Sequence, residues 1–308
     1  MQKLPIGVLV EASGLRLMWT IYRLDEQSMP PFLLLMQPGT RGQLWENRAD
    51  AGQIVLGASF LGQPVGAAVA YRGADAAQLL DLYVLPSYRQ VGIGRALLAA
   101  VEEQIRLTET PRMQTLYRSN AQTPYFQRLL TGQGWTAPLL KNRIFWTRCA
   151  VAFGPWVSRY HFRPPYTLFA WPELTADERK YLLAEQETGW FPPLLSPFHR
   201  PDDAWDAESS IGLRYNGEVV GWCLTVREKP EQMLVDVLFV DPPLQRLGRG
   251  FMLVGEVIRR YCASGGDYAY WRVSPENEPM LRWSAKAFAG EGLLDEYEEW
   301  YSEKVLLL

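Results

Sequence analysis

The sequence predicts an α/β protein made of two tandem domains, and three observations carry that prediction. A six-residue segment, Arg89-Gln90-Val91-Gly92-Ile93-Gly94, returns as Gln245-Arg246-Leu247-Gly248-Arg249-Gly250. Its flanks repeat in register: Val84, Pro86, Gly92 and Gly94 each lie 156 positions before Val240, Pro242, Gly248 and Gly250 (248 − 92 = 156). The chain has 308 residues, 48% hydrophobic and 21% charged, enough for two cores of about 150 residues each.

The elements follow in the same order twice. In the first half, Met18-Trp19-Thr20-Ile21-Tyr22 reads as an opening strand, and Asp25 to Gln37 as a helix-like stretch interrupted by Pro30 and Pro31. Ile54 to Phe60 and Val65 to Tyr71 read as a hairpin around Leu61-Gly62-Gln63-Pro64, and Leu79 to Val84 as the strand entering the glycine turn. Beyond the turn, Leu97, Leu98, Val101 and Ile105 make one buried helix stripe, repeated at the same offset by Leu253, Val254, Val257 and Tyr261. A strand from Gln114 to Arg118, Asn120 and another helix complete the half. The second half opens with a strand from Tyr166 to Trp171. Thr175 to Glu187 is helical, with Thr175-Ala176-Asp177-Glu178 as a capping box. Ile211 to Tyr215 and Val219 to Val226 form a hairpin around Asn216-Gly217; Tyr268 to Val273, Asn277 and a helix follow. Phe153-Gly154-Pro155 and Arg163-Pro164-Pro165 interrupt the pattern, so the domains are 1–152 and 166–308, with a connector at 153–165.

Glycine at a strand-to-helix turn has two uses: it accepts positive φ, and it lets a bulky ligand approach the backbone. The free N–H groups of the first helical turn then face an anion at the positive end of the helix dipole. A diphosphate suits such a cradle. Arg89, or Gln245 in the second copy, is placed to add a side-chain donor, and Arg95 or Arg249 to add charge. A dinucleotide fingerprint would need glycine at positions 97 and 253, where leucine stands, and a P-loop would need Gly-Lys-Ser/Thr, which neither copy has.

A strand ending near a proline, then Arg or Gln, two residues, Gly, one residue, Gly and an amphipathic helix resembles the acyl-CoA loop of the GNAT superfamily of N-acyltransferases, in both halves. The resemblance implies a mixed sheet with a splayed strand pair and two GNAT-type domains. It implies acetyl-CoA as acyl donor, with pantetheine against the strand ends at Tyr83 and Val84, or Val240. The diphosphate would lie on Arg89, Gln90, Val91, Gly92, Ile93, Gly94, Arg95 and Ala96, or on Gln245, Arg246, Leu247, Gly248, Arg249 and Gly250. Asn120 and Asn277 would border the thiol end. Members of the superfamily often place a tyrosine seven residues after this asparagine to protonate the departing thiolate. Here position 127 is glutamine and position 284 serine, and Tyr125 is the nearest candidate acid. The first loop matches the pattern better, since Phe251 directly follows Gly250.

Acyl transfer to an amine also needs a base, and Asp81 and Asp236, near the ends of the strands before the loops, are candidates. Asp81 precedes Val84 by three residues and Asp236 precedes Val240 by four, so strict strand alternation aims them at opposite faces. The leading expectation is N-acetylation of a small-molecule primary amine. The tandem arrangement also resembles mycothiol synthase, but no residue here selects that enzyme's acceptor. A transferase acting on a protein or peptide amine and a CoA-binding regulatory protein without turnover are the alternatives. Net charge of −3 and a pI near 5.6 argue against nucleic acid. The same acidity, with both loops kept, disfavours tRNA-dependent tandem transferases. No segment nears the roughly 20 apolar residues that span a bilayer. Cys149, Cys223 and Cys262 read as buried thiols of a cytoplasmic protein, and His161 and His199 have no ligand cluster, so no metal is expected. The acidic runs Asp202-Asp203-Asp206-Glu208 and Glu296-Glu298-Glu299 would favour a cationic amine if they lined a cleft. Gly189-Trp190-Phe191-Pro192-Pro193 is either a packed loop or an acceptor pocket wall.

Overall fold

The computed structural model describes residues 10–12, 15–17, 19–46, 52–149, 161–245, 248–287 and 295–306. Two compact units result: unit 1 holds Met1–Lys141 and Glu299–Leu308, and unit 2 holds Asn142–Glu298.

In unit 1 a small hairpin, β1 (Val10–Ala12) and β2 (Leu15–Leu17), precedes β3 (Trp19–Arg23). A 3-10 turn over Pro30–Leu35 and helix α1 (Pro38–Glu46) come next, then β4 (Gln53–Phe60), β5 (Gln63–Arg72) and β6 (Ala77–Val84). The expected helix over 25–37 is replaced by these two elements. Pro30 and Pro31 lack the N–H groups a helix interior needs, whereas Pro38 sits at the first helical position, where its missing donor is harmless. After the loop come α2 (Ile93–Arg106), β7 (Arg112–Arg118) and α3 (Thr123–Gly132). The four strands β3 to β6 are antiparallel neighbours, and β6 pairs β7 in parallel. Leu97, Leu98, Val101 and Ile105, the predicted stripe, are buried against this sheet.

Unit 2 repeats the plan. Its elements are β8 (Leu139–Arg148), β9 (Tyr166–Ala170), α4 (Ala176–Thr188), β10 (Ile211–Tyr215), β11 (Glu218–Lys229), β12 (Gln232–Val240), α5 (Arg249–Ala263), β13 (Tyr268–Val273) and α6 (Glu278–Ala287); the last strand, β14 (Asp295–Val305), belongs to unit 1 from Glu299 onward. Strands β9 to β12 are antiparallel, and β12 pairs β13 in parallel. Thr175 caps α4 as expected, accepting from the Glu178 N–H at 3.2 Å while Glu178 accepts from the Thr175 N–H at 2.8 Å.

In each unit the strand after the parallel pair takes a partner from the other half of the sequence. β7 has β14 as its antiparallel neighbour, with Glu299 opposite Arg118 and Val305 opposite Arg112. β13 has β8, with Arg148 opposite Tyr268 and Arg143 opposite Val273. The compact units therefore cut across the sequence halves at their final strands. This pairing lays Cys149 beside α5, and Cys149 and Cys262 are disulfide-bonded with Cα atoms 5.7 Å apart, which corrects the expectation of three thiols. Cys223 is the free, buried one. No described helix is long and apolar enough to cross a membrane.

Candidate active site

The loop of unit 1 is built from left-handed backbone. Gln90 has φ of +65° and Gly92, the N-cap of α2, φ of +93°. The turn carries the chain from β6 into a helix whose first outside bond runs from the Ala96 N–H to the Gly92 carbonyl at 3.0 Å. The N–H groups of Ile93, Gly94 and Arg95 therefore have no carbonyl one turn back and open outward. A Cβ on Gly92 would meet nothing within 4 Å, and one on Gly94 would meet only Leu129 at 3.6 Å and Val84 at 3.8 Å. Open space therefore lies in front of both glycines. Arg95 stands exposed beside it.

Arg89 has another task than the one expected of it. Its Nε donates to the Val84 carbonyl at 2.9 Å and its Nη1 to Gln122 Oε1 at 2.8 Å. In unit 2, Gln245 Nε2 donates to the Val240 carbonyl at 2.9 Å. Arginine and glutamine thus alternate at this position because both clamp the loop to the strand end five residues earlier. Arg249, expected to add charge, donates to the Leu244 carbonyl and covers the Tyr166 ring at 4.7 Å. Arg246 and Leu247 lie outside the described residues.

The strands next to each loop separate as the mixed-sheet expectation requires. β6 and β7 pair through Ala77 with Met113 and Gln78 with Gln114, after which Thr115 Oγ1 reaches the Leu79 carbonyl at 3.1 Å. Beyond that point Leu80 to Val84, including Tyr83, line an opening on the β7 side. In unit 2 the pairing of β12 with β13 runs from Gln232–Tyr268 to Val235–Trp271 and then ends.

The two aspartates end up on equivalent faces, which overturns the alternation argument. A register slip between Val69 and Ala70 puts Asp81 opposite Val69 and Leu79 opposite Ala70, leaving Leu80 looped out. The slip between Leu224 and Thr225 does the same to Asp236. Such a bulge puts two consecutive residues on one face. Leu80 packs with Phe32 and Met36 while Asp81 accepts from the Gln37 N–H at 2.7 Å. Val237 packs with Leu182 and Phe191 while Asp236 meets the segment after α4.

Their surroundings differ. Asp81 is 5% exposed, and burial raises its carboxyl above the ordinary range, opposed by hydrogen bonds from Gln37 and Thr40. Asp236 is held by Arg200 Nε at 2.6 Å and faces His199 Nε2 at 3.0 Å. A carboxylate so engaged is committed to structure. Nothing in the residue pattern marks this cluster, because Arg200 and His199 lie on a loop with no periodicity.

At the thiol end, Asn120 Oδ1 accepts from the Gln122 N–H at 2.7 Å and Asn277 Oδ1 from the Met280 N–H at 3.2 Å. Both asparagines start helices. Tyr125 is 57% exposed on α3, away from the buried Asp81. In unit 2 the Trp271 indole donates to Ser284 Oγ at 2.8 Å, and Phe251 stacks on Trp283 at 4.4 Å, filling the space between α5 and α6.

Members of the acidic runs are ion-paired: Asp206 with Arg227 at 2.6 Å, Asp202 with Arg179 at 2.7 Å and Glu296 with Arg143 at 3.2 Å. They give no support to a cationic acceptor. Phe191 is buried among Trp222 and Phe239, and the Trp190 indole donates to Asp241 at 2.9 Å, so this loop packs on its own unit.

Two stretches of the chain, residues 18–129 and 160–288, match the Acetyltransferase (GNAT) family. No protein of curated function matches. Among solved structures, the chain is similar to a GCN5-related N-acetyltransferase from Sphaerobacter thermophilus, at 18% identity and a TM-score of 0.60 over 94% of this chain and 96% of that one. It is also similar to a tandem GNAT protein from the clavulanic acid biosynthesis pathway, at 16% identity and a TM-score of 0.54 over 92% and 98% of the two chains. At these identities the likeness is one of fold.

Proposed function

From the acetyltransferase (GNAT) family, to which the chain belongs, we propose that unit 1 transfers an acetyl group from acetyl-CoA to a primary amine of a small molecule. The observation that carries this reading is the end of β6, Leu80 to Val84, which stays paired to β5 but has left β7 and runs into the open glycine turn at Gln90–Arg95. Free strand backbone suits the amides of pantetheine, and outward N–H groups at a helix start suit a diphosphate. Arg89 fixes the turn to the strand, and Arg95 adds a positive charge near the phosphates.

Acetyl-CoA supplies an activated thioester carbonyl. Asp81 takes the amine proton, directly or through one water, and its raised affinity for protons makes it a stronger base than an ordinary carboxylate. Asp236 is tied to Arg200 and His199, which supports the reading that places the chemistry in unit 1. The filled gap between α5 and α6 argues the same way.

One feature favours binding without turnover: glutamine and serine stand where a tyrosine acid is usual, at 127 and 284. Calorimetry with acetyl-CoA, followed by thiol release on a panel of amines, separates the two readings. Binding of one molecule per chain with turnover on at least one amine is expected. Binding without turnover would favour the regulatory reading, and absence of binding would overturn both.

A further inference from the structure

A thiolate leaves a tetrahedral adduct more readily when a proton is given to it. The donor should be a hydroxyl whose proton is not already committed. Tyr117 of unit 1 meets that condition. It follows Thr115 by two residues on β7, so it shares a face with Met113 and Thr115, which are buried under α2. Thr115 makes the bridge to Leu79, and the strands part beyond it, which puts Tyr117 on the wall of the opening. Its ring meets Phe126 edge-on at 4.9 Å and, like Val84, Val91, Ala96 and Leu129, packs against the core under α2.

The Tyr117 hydroxyl and the side-chain amide nitrogen of the neighbouring Gln127 are buried, and no well-formed hydrogen bond reaches either; the amide is near enough to act on the phenol oxygen, but nothing accepts the phenol proton. Buried polar atoms left in this way are costly, and a polar ligand reaching them removes the cost. Burial keeps the phenol protonated well above neutral pH, with Gln127 acting in the opposite sense. Unit 2 shows the contrast. There Ser284, at the position matching Gln127 after the asparagine, is satisfied by Trp271. The polar side chain seven residues after the asparagine is therefore unmet in unit 1 and met in unit 2.

We propose that Tyr117, positioned by Gln127, is the acid of the transfer. As the amine nitrogen bonds to the acyl carbon and the carbon–sulfur bond breaks, Tyr117 gives its phenolic proton to the sulfur. Asp81 holds the proton lost by the amine and returns it through solvent to the phenolate, so one thiol and one amide form with no net proton change. The inference rests on unit 1 being the transferase site.

The test uses the full chain carrying 13Cζ-labelled tyrosine, with CoA and desulfo-CoA as probes, and thiol release from acetyl-CoA as the rate. The Tyr117 resonance, assigned by its loss in Tyr117→Phe, is expected to move with CoA and not with desulfo-CoA. Tyr117→Phe is expected to bind acetyl-CoA within about two-fold of the parent, to release thiol roughly 100-fold more slowly, and to lose the alkaline limb of the pH profile. Normal binding with an unchanged rate, or a resonance indifferent to the sulfur, would overturn the assignment. So would a loss in Tyr125→Phe with Tyr117→Phe silent. If neither probe binds the parent protein, the transferase reading of unit 1 fails instead. Should Tyr117→Phe not fold, labelling one tyrosine site at a time in the parent chain assigns the resonance and the two probes still decide.

Discussion

Asp81 is where desolvation and hydrogen bonding pull against each other, and desolvation is the larger influence. A group whose folded pKa is raised contributes stability below its unfolded pKa and loses it as pH rises through the folded value. At pH 7 the buried carboxylate is therefore a cost to the fold. Asp81→Asn keeps an oxygen for the Gln37 N–H and removes the charge. We expect it to leave Tm unchanged or higher while lowering kcat roughly 100-fold, read by calorimetric melting beside initial rates. The acidic limb of the parent's profile should lie above the ordinary carboxylate range. Glu178 has the opposite sign. Hydrogen bonds from Arg214, at 2.5 and 2.9 Å, lead the causes that bring its pKa down to about 2, despite desolvation. Its contribution is present above the ordinary value and is lost as pH falls toward 2. Glu178→Gln should cost about 1–3 kcal/mol at pH 7 in urea unfolding, and the gap from the parent should close progressively between about pH 4.5 and pH 2. A gap that persisted undiminished at pH 2 would reject the ion pair as its source.

The loop and α2 show what a sequence reveals about an element and what it hides. Two glycines before a regular apolar stripe specify a strand, a turn and a helix, and all three stand where expected in both units. The bulges at Leu80 and Asp236 were illegible because period-two reasoning assumes an unbroken ladder. The clamp by Arg89 and Gln245 was hidden for another reason: composition shows a donor but not which carbonyl it reaches. Gly94 lends itself to a test that separates fold from ligand. It is helical, and an added methyl would touch Leu129 and Val84 only at ordinary contact distance. Alanine is favoured over glycine inside a helix by roughly 0.5–1 kcal/mol. Gly94→Ala should thus melt at the same temperature or higher yet bind acetyl-CoA at least about ten-fold more weakly, because the methyl stands where the diphosphate must approach. Equal affinity by calorimetry would remove the diphosphate from this turn.

At the scale of the whole molecule, neither half of the sequence completes its own sheet. Local patterning reads β8 and β14 as strands at best; it cannot name their partners, because the pairing depends on chain separated by more than 100 residues. In unit 1 the end of β14 does more than close an edge. Glu102 on α2 is 2% exposed, and Lys304 Nζ reaches its Oε2 at 2.6 Å while the Trp135 indole reaches Oε1 at 2.7 Å. Lys304 also donates to the Gln133 carbonyl, and Ser302 Oγ donates to Thr136 at 2.8 Å. The last residues of the chain thereby neutralise a carboxylate on the helix that begins at the acyl-CoA loop. Removing one member of such a pair strands a buried charge, at a cost of about 3–5 kcal/mol, whereas removing the charge on both sides is far milder. Arg106 Nη2 remains 3.9 Å from the same Glu102 oxygen, so Lys304→Met should destabilise unit 1 by less than that full amount in urea unfolding and weaken acetyl-CoA binding, while the double variant Glu102→Gln with Lys304→Met regains most of both, since glutamine still accepts from Trp135. If the single and double variants lose the same stability, Lys304 acts by packing alone and the charge on α2 is irrelevant to the loop.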